Sequence, residues 1–377
     1  MQYTTFNLEQ FEPLKEPMFL GRSINVSRFD QSKFSYFTDL TEKLHSFFWR
    51  PQEVDISRDR SDWDKLNDVE KRVFLSNLKY QTLLDSVISR SASAVLIPIS
   101  SLAEMETYVE AWSFSESVHS ISYTHIIRNL LPNPSAVFED ILVNDKIIER
   151  AVEVTKYMDD LILHVQIYQS QGEGEYEIGG QLTTVNLRSI KERLYLVMCV
   201  FNALEGIRFY VSFACSFSFK ERKLLAGNGT IIGLIARDEN VHLSGTQTIL
   251  NLWAAGKDDP EMQEISEKLK DKGRQILIDA AEQECEWAED LFKDGSIIGL
   301  NAQILKEYVH YITTIRLNAI GMDSPYKVDK NPIPWISSHL VSDNVQVAPQ
   351  ESEISSYLVG QVDSTIKSGD FDSFDLD

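Results

Sequence analysis

The sequence predicts an all-α protein, a bundle of long helices with one short β-hairpin. Apolar residues recur at intervals of three and four along most of residues 33–320, which is the spacing of one helix face. The period changes to two only at 172–186, on either side of Gly179-Gly180, as in a hairpin. With 377 residues and 43% hydrophobic composition, the chain is long enough for a large core.

Charge and cysteine content exclude several classes of protein. The formal net charge of −21 argues against binding to nucleic acid, because the phosphates would be repelled. The three cysteines lie far apart without C-x-x-C spacing, which favours neither a disulfide framework nor a thiolate zinc site and fits a reducing cytoplasm. The N-terminus does not resemble a signal peptide, and no apolar run approaches the roughly 20 residues of a membrane helix. We therefore expect a soluble cytoplasmic protein.

The N-terminal part of the chain is predicted to be an arm followed by a helix. Turn-forming prolines and a glycine interrupt residues 1–32, which indicates an extended arm. A helix then begins near Lys33 and ends before Pro51, with Trp49 at its end. Residues 51–66 are charged and irregular.

The next helix carries an unexpected acid. Asn67 and Glu70 have the spacing of a capping box, which predicts a helix from there to about Arg90. Asp85 occupies a position on the apolar face where an apolar residue is expected.

The helix that follows Pro98 and reaches about Leu130 contains the most informative stretch. One stripe of this helix, with steps of three and four residues, consists of Trp112, Glu116, His119, Tyr123 and Ile127. A buried, unpaired carboxylate is costly, so this face requires a compensating positive charge. A metal ion is one such charge, and Glu-x-x-His on an inward helix face is a known way to hold it.

Two later helices also carry acids on their apolar faces. After one or two peripheral helices at 135–170 and the hairpin, the most apolar helix runs from about Ser189 to Lys220. One row of this helix contains a single acid: Met198, Phe201, Glu205, Phe209 and Phe213. The helix that begins near Gly227 carries a second Glu-x-x-His, formed by Glu239 and His242.

The rest of the chain is predicted to complete the bundle and end in a tail. Two further helical patterns occupy 260–293 and 301–320. Prolines then break the pattern, and the C-terminal end is rich in Ser, Asp and Gly. We therefore divide the chain into an arm (1–32), a helical bundle (33–340) and a flexible tail (341–377).

The Glu-x-x-His spacing alone is weak evidence for a metal site. With 57 acids among 377 residues and seven histidines, about one such pair is expected by chance. The sequence contains four pairs: Glu42/His45, Glu116/His119, Glu239/His242 and Glu307/His310. The first lies beside Lys43 on a helix whose apolar face is elsewhere, and the last follows Lys306 in a mixed surface pattern. For both, a solvated ion pair is the ordinary interpretation.

The other two pairs differ because Asp85 and Glu205 supply a core acid from each of two further helices. Four carboxylates and two imidazoles suit a pair of Fe or Mn ions better than Zn or Ca. Both Fe and Mn accept these ligands, so the choice stays open. The alternative is that each acid pairs with a core arginine, such as Arg208 or Arg237.

Tyr123 lies one turn beyond His119 on the same face. A core tyrosine usually packs and forms a hydrogen bond. Beside an oxygen-activating metal pair, a buried phenol is also an oxidisable group, and a dry pocket would let a phenoxyl radical persist.

Long strings of the sequence resemble a known family. They are KEPMF (15–19), FFWRP (47–51), NLKYQTLLDS (77–86), SYTHIIRN (122–129), ALEGIRFYVSFACSF (203–217), ARDENVHL (236–243) and SDNVQVAPQE (342–351). Over essentially its whole length the chain resembles the small, radical-generating (beta) subunit of aerobic class I ribonucleoside-diphosphate reductase, of the bacterial and phage type. The resemblance implies a ferritin-like, all-α di-iron carboxylate bundle.

The resemblance also implies a site and a mechanism. The implied ligands are Asp85, Glu116 and His119 for one iron, and Glu205, Glu239 and His242 for the other. The metal pair would react with O2 and oxidise Tyr123 to a stable tyrosyl radical. The implied apolar pocket around Tyr123 consists of Phe209, Phe213 and Ile235.

The radical would then be passed to a separate large subunit, which reduces ribonucleotides to deoxyribonucleotides. Trp49 and Asp238 match the family's transfer path with His119, and Tyr357 matches its relay between the subunits. The ordinary interpretations are a packed Trp, an Asp bonded to Arg237 and a tail Tyr without a role. The resemblance further implies a homodimer whose acidic C-terminal tail docks on the large subunit.

Two rival functions use the same scaffold. A di-metal oxidase without a stored radical would require neither Tyr123, Trp49 nor Tyr357. An iron-storage or purely structural bundle would require neither these relay residues nor an acidic tail.

Overall fold

The computed structural model describes residues 4–9, 11–328 and 330–340. This part of the chain contains eleven α-helices and one two-stranded hairpin, which confirms the predicted all-α class. The helices are α1 Ser35–Ser46, α2 Asp59–Lys65, α3 Asp68–Leu96, α4 Ala103–Leu130, α5 Pro134–Ile141, α6 Asp145–Gln171, α7 Leu187–Ala203, α8 Tyr210–Glu221, α9 Ala226–Ala254, α10 Pro260–Leu291 and α11 Ala302–Ala319. The hairpin strands are β1 Gly174–Ile178 and β2 Gln181–Val185, which pair antiparallel.

One hydrophobic core runs through the bundle, and the long helices α3, α4, α7, α9 and α10 contribute most of it. Helix α4 packs on α3, α1 and α9, while α10 packs on α7, α9 and α11. The inner faces of α3, α4 and α9 therefore share one interior with the segment that joins α7 to α8.

Hydrogen bonds from backbone N–H groups to acidic or amide side chains mark where α3 and α9 begin. The Glu70 backbone N–H donates to Asn67 Oδ1 at 2.9 Å, and the Asn67 N–H donates to Glu70 Oε2 at 3.1 Å, which confirms the capping box of α3. Helix α9 is capped from outside its own sequence. The buried Asp59 of α2 accepts hydrogen bonds from the N–H groups of Gly227 (3.1 Å) and Asn228 (2.6 Å).

The structure differs from the predicted helices in three places. Helix α3 continues beyond Arg90 to Leu96, because Pro98 is the first residue that opposes the helix. Helix α2 lies inside the segment 51–66, which was predicted to be irregular.

The third difference bears on the site. The helix predicted from 189 to 220 is interrupted by a π-helical segment, Leu204–Arg208. A Cβ on Gly206 would lie 3.0 Å from Leu243 of α9 and 3.2 Å from Arg316 of α11. Arg316 Nε also donates to the Gly206 carbonyl at 3.2 Å. Close packing against two neighbouring helices therefore accompanies the wider turn that carries Glu205.

Two helical stretches, Asp68–Ile99 and Leu187–Glu221, are long and apolar enough to cross a membrane by length and composition alone. The most apolar window of the second is entirely buried in the protein, and that of the first is half buried. Both are thus explained as core helices of the bundle. The predicted tail, including Tyr357, lies outside the described residues, and the division into arm, bundle and tail stays a prediction.

Candidate metal centre

All six residues predicted as metal ligands face the interior. Asp85 lies on α3, Glu116 and His119 on α4, Glu205 on the π-helical segment, and Glu239 and His242 on α9. Each of the six side chains is fully buried, with 0% exposure. The structure thus brings together the residues that the helix stripes had selected.

Their ligand atoms form two overlapping groups. In each group, one imidazole nitrogen or carboxylate oxygen from each residue lies within 4.8 Å of the corresponding atoms of the others. The first group is Asp85, Glu116, His119 and Glu239, and the second is Glu116, Glu205, Glu239 and His242. Glu116 and Glu239 belong to both.

Glu116 and Glu239 lie between the two imidazoles. Glu116 places Oε2 at 3.3 Å from His119 Nδ1 and Oε1 at 2.9 Å from His242 Nδ1. Glu239 places Oε1 at 3.1 Å from His119 Nδ1 and Oε2 at 2.9 Å from His242 Nδ1. Each carboxylate therefore has one oxygen near each Nδ1, whereas Asp85 and Glu205 each join only one group. Glu116 and Glu239 could therefore contribute to holding either of two cations, and Asp85 and Glu205 to holding one each.

The donor atoms of this cluster fit a pair of cations. Among the described residues no Lys or Arg forms an ion pair with the four carboxylates, and both oxygens of Asp85 and of Glu205 lack a hydrogen-bond partner. Unpaired buried polar atoms cost about 1–3 kcal/mol each, and more when charged. Oxygen and imidazole donors in this proportion suit Fe or Mn.

Without metal the acids compete for protons. Burial raises the pKa of Asp85 and of Glu205 well above the usual range, and the charges of Glu116 and Glu239 raise both further. Burial also tends to raise the pKa of Glu239, but contact with Glu205 and with the imidazoles lowers it below its usual value. Burial opposes the charged form of His242, yet Glu116 and Glu239 raise its pKa to about 9. The cluster therefore already holds positive charge as protons, which cations would replace.

Tyr123 is fully buried on α4, and its hydroxyl has no hydrogen-bond partner among the described residues. Burial raises the pKa of this phenol well above its ordinary value, and the nearby Asp85 carboxylate raises it further. The phenol is therefore neutral at physiological pH and lies beside one group of candidate ligands.

A continuous chain of contacts connects the centre to Trp49. His119 Nε2 lies 3.2 Å from Asp238 Oδ2, and the Trp49 indole N–H donates to that same oxygen at 2.8 Å. The ordinary interpretation of Asp238 also holds, because its Oδ1 accepts hydrogen bonds from Arg237 at 3.1 and 3.2 Å. Asp238 thus joins the arginine, the indole and the imidazole.

The predicted pocket residues Phe209, Phe213 and Ile235 are all fully buried. The rings of Phe209 and Phe213 stack with centroids 5.9 Å apart. Their role around Tyr123 stays a prediction.

The remaining pairs with the same spacing are not part of either group. His45 is exposed at the end of α1, and the exposed Glu307 accepts a hydrogen bond from Gln303. The two arginines named as alternative partners lie elsewhere among the described residues: Arg237 pairs with Asp238, and Arg208 acts on Glu284.

Two further residues were missed by sequence reasoning. Ser115 contacts both Asp238 and His119, and no sequence pattern marks it. Glu284 is a fully buried acid on α10, in an otherwise apolar row with Leu277, Ala281, Ala288 and Leu291. That row was visible in the sequence and could have revealed it.

Comparison with known proteins agrees with this geometry. Residues 27–332 match the family model described as ribonucleotide reductase, small chain. The chain is 57% identical to the ribonucleoside-diphosphate reductase subunit beta of Haemophilus influenzae and 55% identical to the ribonucleoside-diphosphate reductase 1 subunit beta of Escherichia coli O157:H7, each over 100% of both chains. It is 40% identical to the subunit beta of Enterobacteria phage T4, over 96% of both chains.

Solved structures show the same fold. The ribonucleotide reductase R2 subunit from Clostridium botulinum superposes with a TM-score of 0.78 at 22% identity, covering 90% of this chain and 98% of that one. The dimanganese(II)-NrdF protein from Streptococcus sanguinis superposes with a TM-score of 0.66 at 22% identity, covering 84% of this chain and 100% of that one. The family-model match and the full-length identities show that the chain belongs to the ribonucleotide reductase small-chain family.

Proposed function

We propose that this protein uses two iron ions, held by the six buried residues, to generate a tyrosyl radical on Tyr123 and store it there. The radical is then passed to a large subunit that reduces ribonucleoside diphosphates. The observation that carries the proposal is the pair of carboxylates, Glu116 and Glu239, shared by two groups of buried donors beside a buried phenol.

The bound metal pair would supply the redox chemistry that activates O2 and removes one electron from a nearby side chain. The ligands are proposed as Asp85, Glu116 and His119 for one ion and Glu205, Glu239 and His242 for the other, with Glu116 and Glu239 near both. The protein's own part is to hold these donors without competing cations and to exclude water.

Tyr123 is proposed as the site of the stored radical. Its burial and its raised pKa keep the phenol protonated, so oxidation requires the proton to leave with the electron. The Asp85 carboxylate is the nearby group that can receive it. Phe209, Phe213 and Ile235 are proposed to keep this pocket dry, because each side chain is apolar and fully buried.

Trp49 and Asp238 are proposed as the exit path with His119. The two distances at Asp238 Oδ2, 2.8 Å to the indole and 3.2 Å to the imidazole, support coupled transfer of an electron and a proton. Tyr357 is proposed as the next relay towards the large subunit.

A small chain of a two-subunit reductase has a large-subunit partner. We propose that this chain is a homodimer in the cytoplasm and that its tail, 341–377, docks on that large subunit. Iron is proposed as the metal, and manganese is the alternative, which the description of the Streptococcus sanguinis protein supports. Elemental analysis of the purified protein distinguishes the two metals.

Electron paramagnetic resonance after reconstitution with iron and O2 tests the proposal. We expect a tyrosyl doublet in the wild-type protein and none in Tyr123→Phe. Tyr80→Phe is the matched control, because Tyr80 is also a fully buried tyrosine and lies on the neighbouring helix α3. An unchanged doublet in Tyr123→Phe would assign the radical elsewhere, and no doublet in the wild type would favour an oxidase or an iron store.

A further inference from the structure

Ser115 differs from two other serines on α4, Ser117 and Ser122. The hydroxyl of Ser117 donates to the carbonyl of Ser113 at 3.1 Å, and that of Ser122 donates to the carbonyl of Val118 at 2.7 Å. This bond to the preceding turn is the usual one for a helical serine. The hydroxyl of Ser115 is instead directed at side chains of the proposed exit path.

The Ser115 hydroxyl lies between two members of that path. Its Oγ is 3.4 Å from Asp238 Oδ2, to which it donates, and 3.5 Å from His119 Nε2. Asp238 Oδ2 thus has three neighbouring donors, since the Trp49 indole (2.8 Å) and His119 (3.2 Å) contact the same atom. Ser115 approaches the oxygen from α4, one turn before His119.

A surface pocket of about 320 Å³ reaches these residues from outside. Trp49, Asp238 and Ser115 line it, and Ser115 supplies the only hydroxyl among its lining residues. The other walls are mostly apolar, and the exposed rings of Phe48 and Phe114 stand 5.9 Å apart beside it. Ser115 therefore lies where the buried path comes closest to this pocket.

We propose that Ser115 is a positioning residue for radical transfer, which holds the Asp238 carboxylate in line between Trp49 and His119. The proposal rests on the proposed function of that path. Arg237 fixes Oδ1 of the carboxylate. The Trp49 indole and the His119 imidazole both contact Oδ2. A hydrogen bond from Ser115 to the same oxygen therefore limits rotation of the carboxylate away from the position between them.

The size of the effect follows from one hydrogen bond. A net contribution of about 0.5–1.5 kcal/mol is typical of an intramolecular hydrogen bond. If it is lost in the transfer step, the upper end of this range corresponds to about a tenfold lower rate. Formation and storage of the radical on Tyr123 do not require Asp238 in this proposal. We therefore expect the yield of the tyrosyl radical to stay unchanged.

The test compares Ser115→Ala, Ser115→Thr and Ser113→Ala in the full-length, iron-loaded protein. Ser113 is the matched control because it lies on the same helix, has the same 8% exposure, and pairs with Ser93 rather than with the path. We expect Ser115→Ala to bind the usual metal content and form the usual doublet, but to support about tenfold slower deoxynucleotide formation with saturating large subunit. Ser115→Thr restores the rate because it keeps the hydroxyl, and Ser113→Ala retains it.

A second readout does not depend on activity. The indole N–H proton resonance of Trp49, assigned with Trp49→Phe, reports its hydrogen bond to Asp238 and can be recorded on metal-free protein. We expect it to shift in Ser115→Ala and to return in Ser115→Thr.

Several results would overturn the proposal. They are an unshifted indole resonance with a wild-type rate in Ser115→Ala, failure of Thr to restore either readout, equal loss in Ser113→Ala, or loss of metal in Ser115→Ala. Absence of the doublet from the wild type would instead contradict the proposed function. The indole resonance of the metal-free protein still tests Ser115 in that case.

Discussion

The bundle buries acids in two regions, and their partners differ. The candidate metal centre contains Asp85, Glu116, Glu205 and Glu239 with two imidazoles. The second region, which we call the arginine cluster, contains Tyr80, Arg150, Glu284 and Trp287. Both regions are close to fully buried, so burial alone does not distinguish them.

Glu284 has a cation supplied by the protein. Its Oε1 accepts a hydrogen bond from the Tyr80 hydroxyl at 2.5 Å and lies 3.9 Å from Arg150 Nε. The Arg150 guanidinium stacks over the rings of Trp287 and Tyr80, at 5.4 and 5.9 Å from their centroids. One acid thus faces fixed positive charge, from Arg150 in contact and from the nearby Arg208.

Among the described residues, the candidate metal centre has four acids and no guanidinium paired with them. The cationic partners found there are two imidazoles, which cannot balance four carboxylates. The comparison teaches that a buried acid indicates a metal only when the charge balance within reach is negative. Three changes of acids, one at each kind of position, test this reading.

The largest effect is expected for Glu239→Ala. Glu239 belongs to both groups of donors, so its loss should lower the affinity for both metal ions. The decrease should exceed the roughly 10–100-fold seen when only a supporting contact to a ligand is removed. Metal content after desalting is the measurement, and Glu284→Gln, which alters a buried acid outside the centre, is the control. Retention of two ions per chain in Glu239→Ala would exclude Glu239 as a ligand.

An intermediate effect is expected for Glu284→Gln, and it concerns pH. Burial raises the pKa of Glu284 from 4.5 to about 7, while the charges of Arg150 and Arg208 limit the rise. The folded state therefore holds more protons than the unfolded state between pH 4.5 and 7, so stability from this group falls as pH rises through that window. The fall approaches about 3 kcal/mol, since each unit is worth about 1.4 kcal/mol.

Urea unfolding at several pH values measures this slope. Glu284→Gln should lower it, and Glu286→Gln, which changes an exposed acid of the same helix, should not. An identical pH dependence in wild type and Glu284→Gln would show that Glu284 stays ionised throughout.

The smallest effect is expected for Glu307→Gln. This acid has the Glu-x-x-His spacing, but it is exposed and contacts Gln303. Metal content should equal that of the wild type, and the free energy of unfolding should change by less than about 0.5 kcal/mol. Loss of a bound ion in this variant would mean that the spacing itself, rather than the buried charge balance, marks the site.

Much of the site could be predicted because the signal is local. An acid within an apolar row of a helix is visible in the sequence alone, and Asp85, Glu116, Glu205 and Glu239 each interrupt such a row. The capping box at Asn67 and the hairpin at Gly179-Gly180 are also local patterns, and the structure confirms both.

The features that escaped prediction depend on distant parts of the chain. The π-helical turn at Glu205 accompanies contacts of Gly206 with α9 and α11. The start of α9 is held by Asp59, about 170 residues earlier in the sequence. Glu284 finds Arg150 on α6, and no helix stripe reveals that partner.

Crystallography of the iron-loaded protein with anomalous scattering at the iron absorption edge tests the central claim most directly. The predicted result is two peaks per chain, both in contact with Glu116 and Glu239, one beside His119 and the other beside His242. A single peak, or peaks away from these four residues, would contradict the claim that the buried acids exist to hold a pair of metal ions.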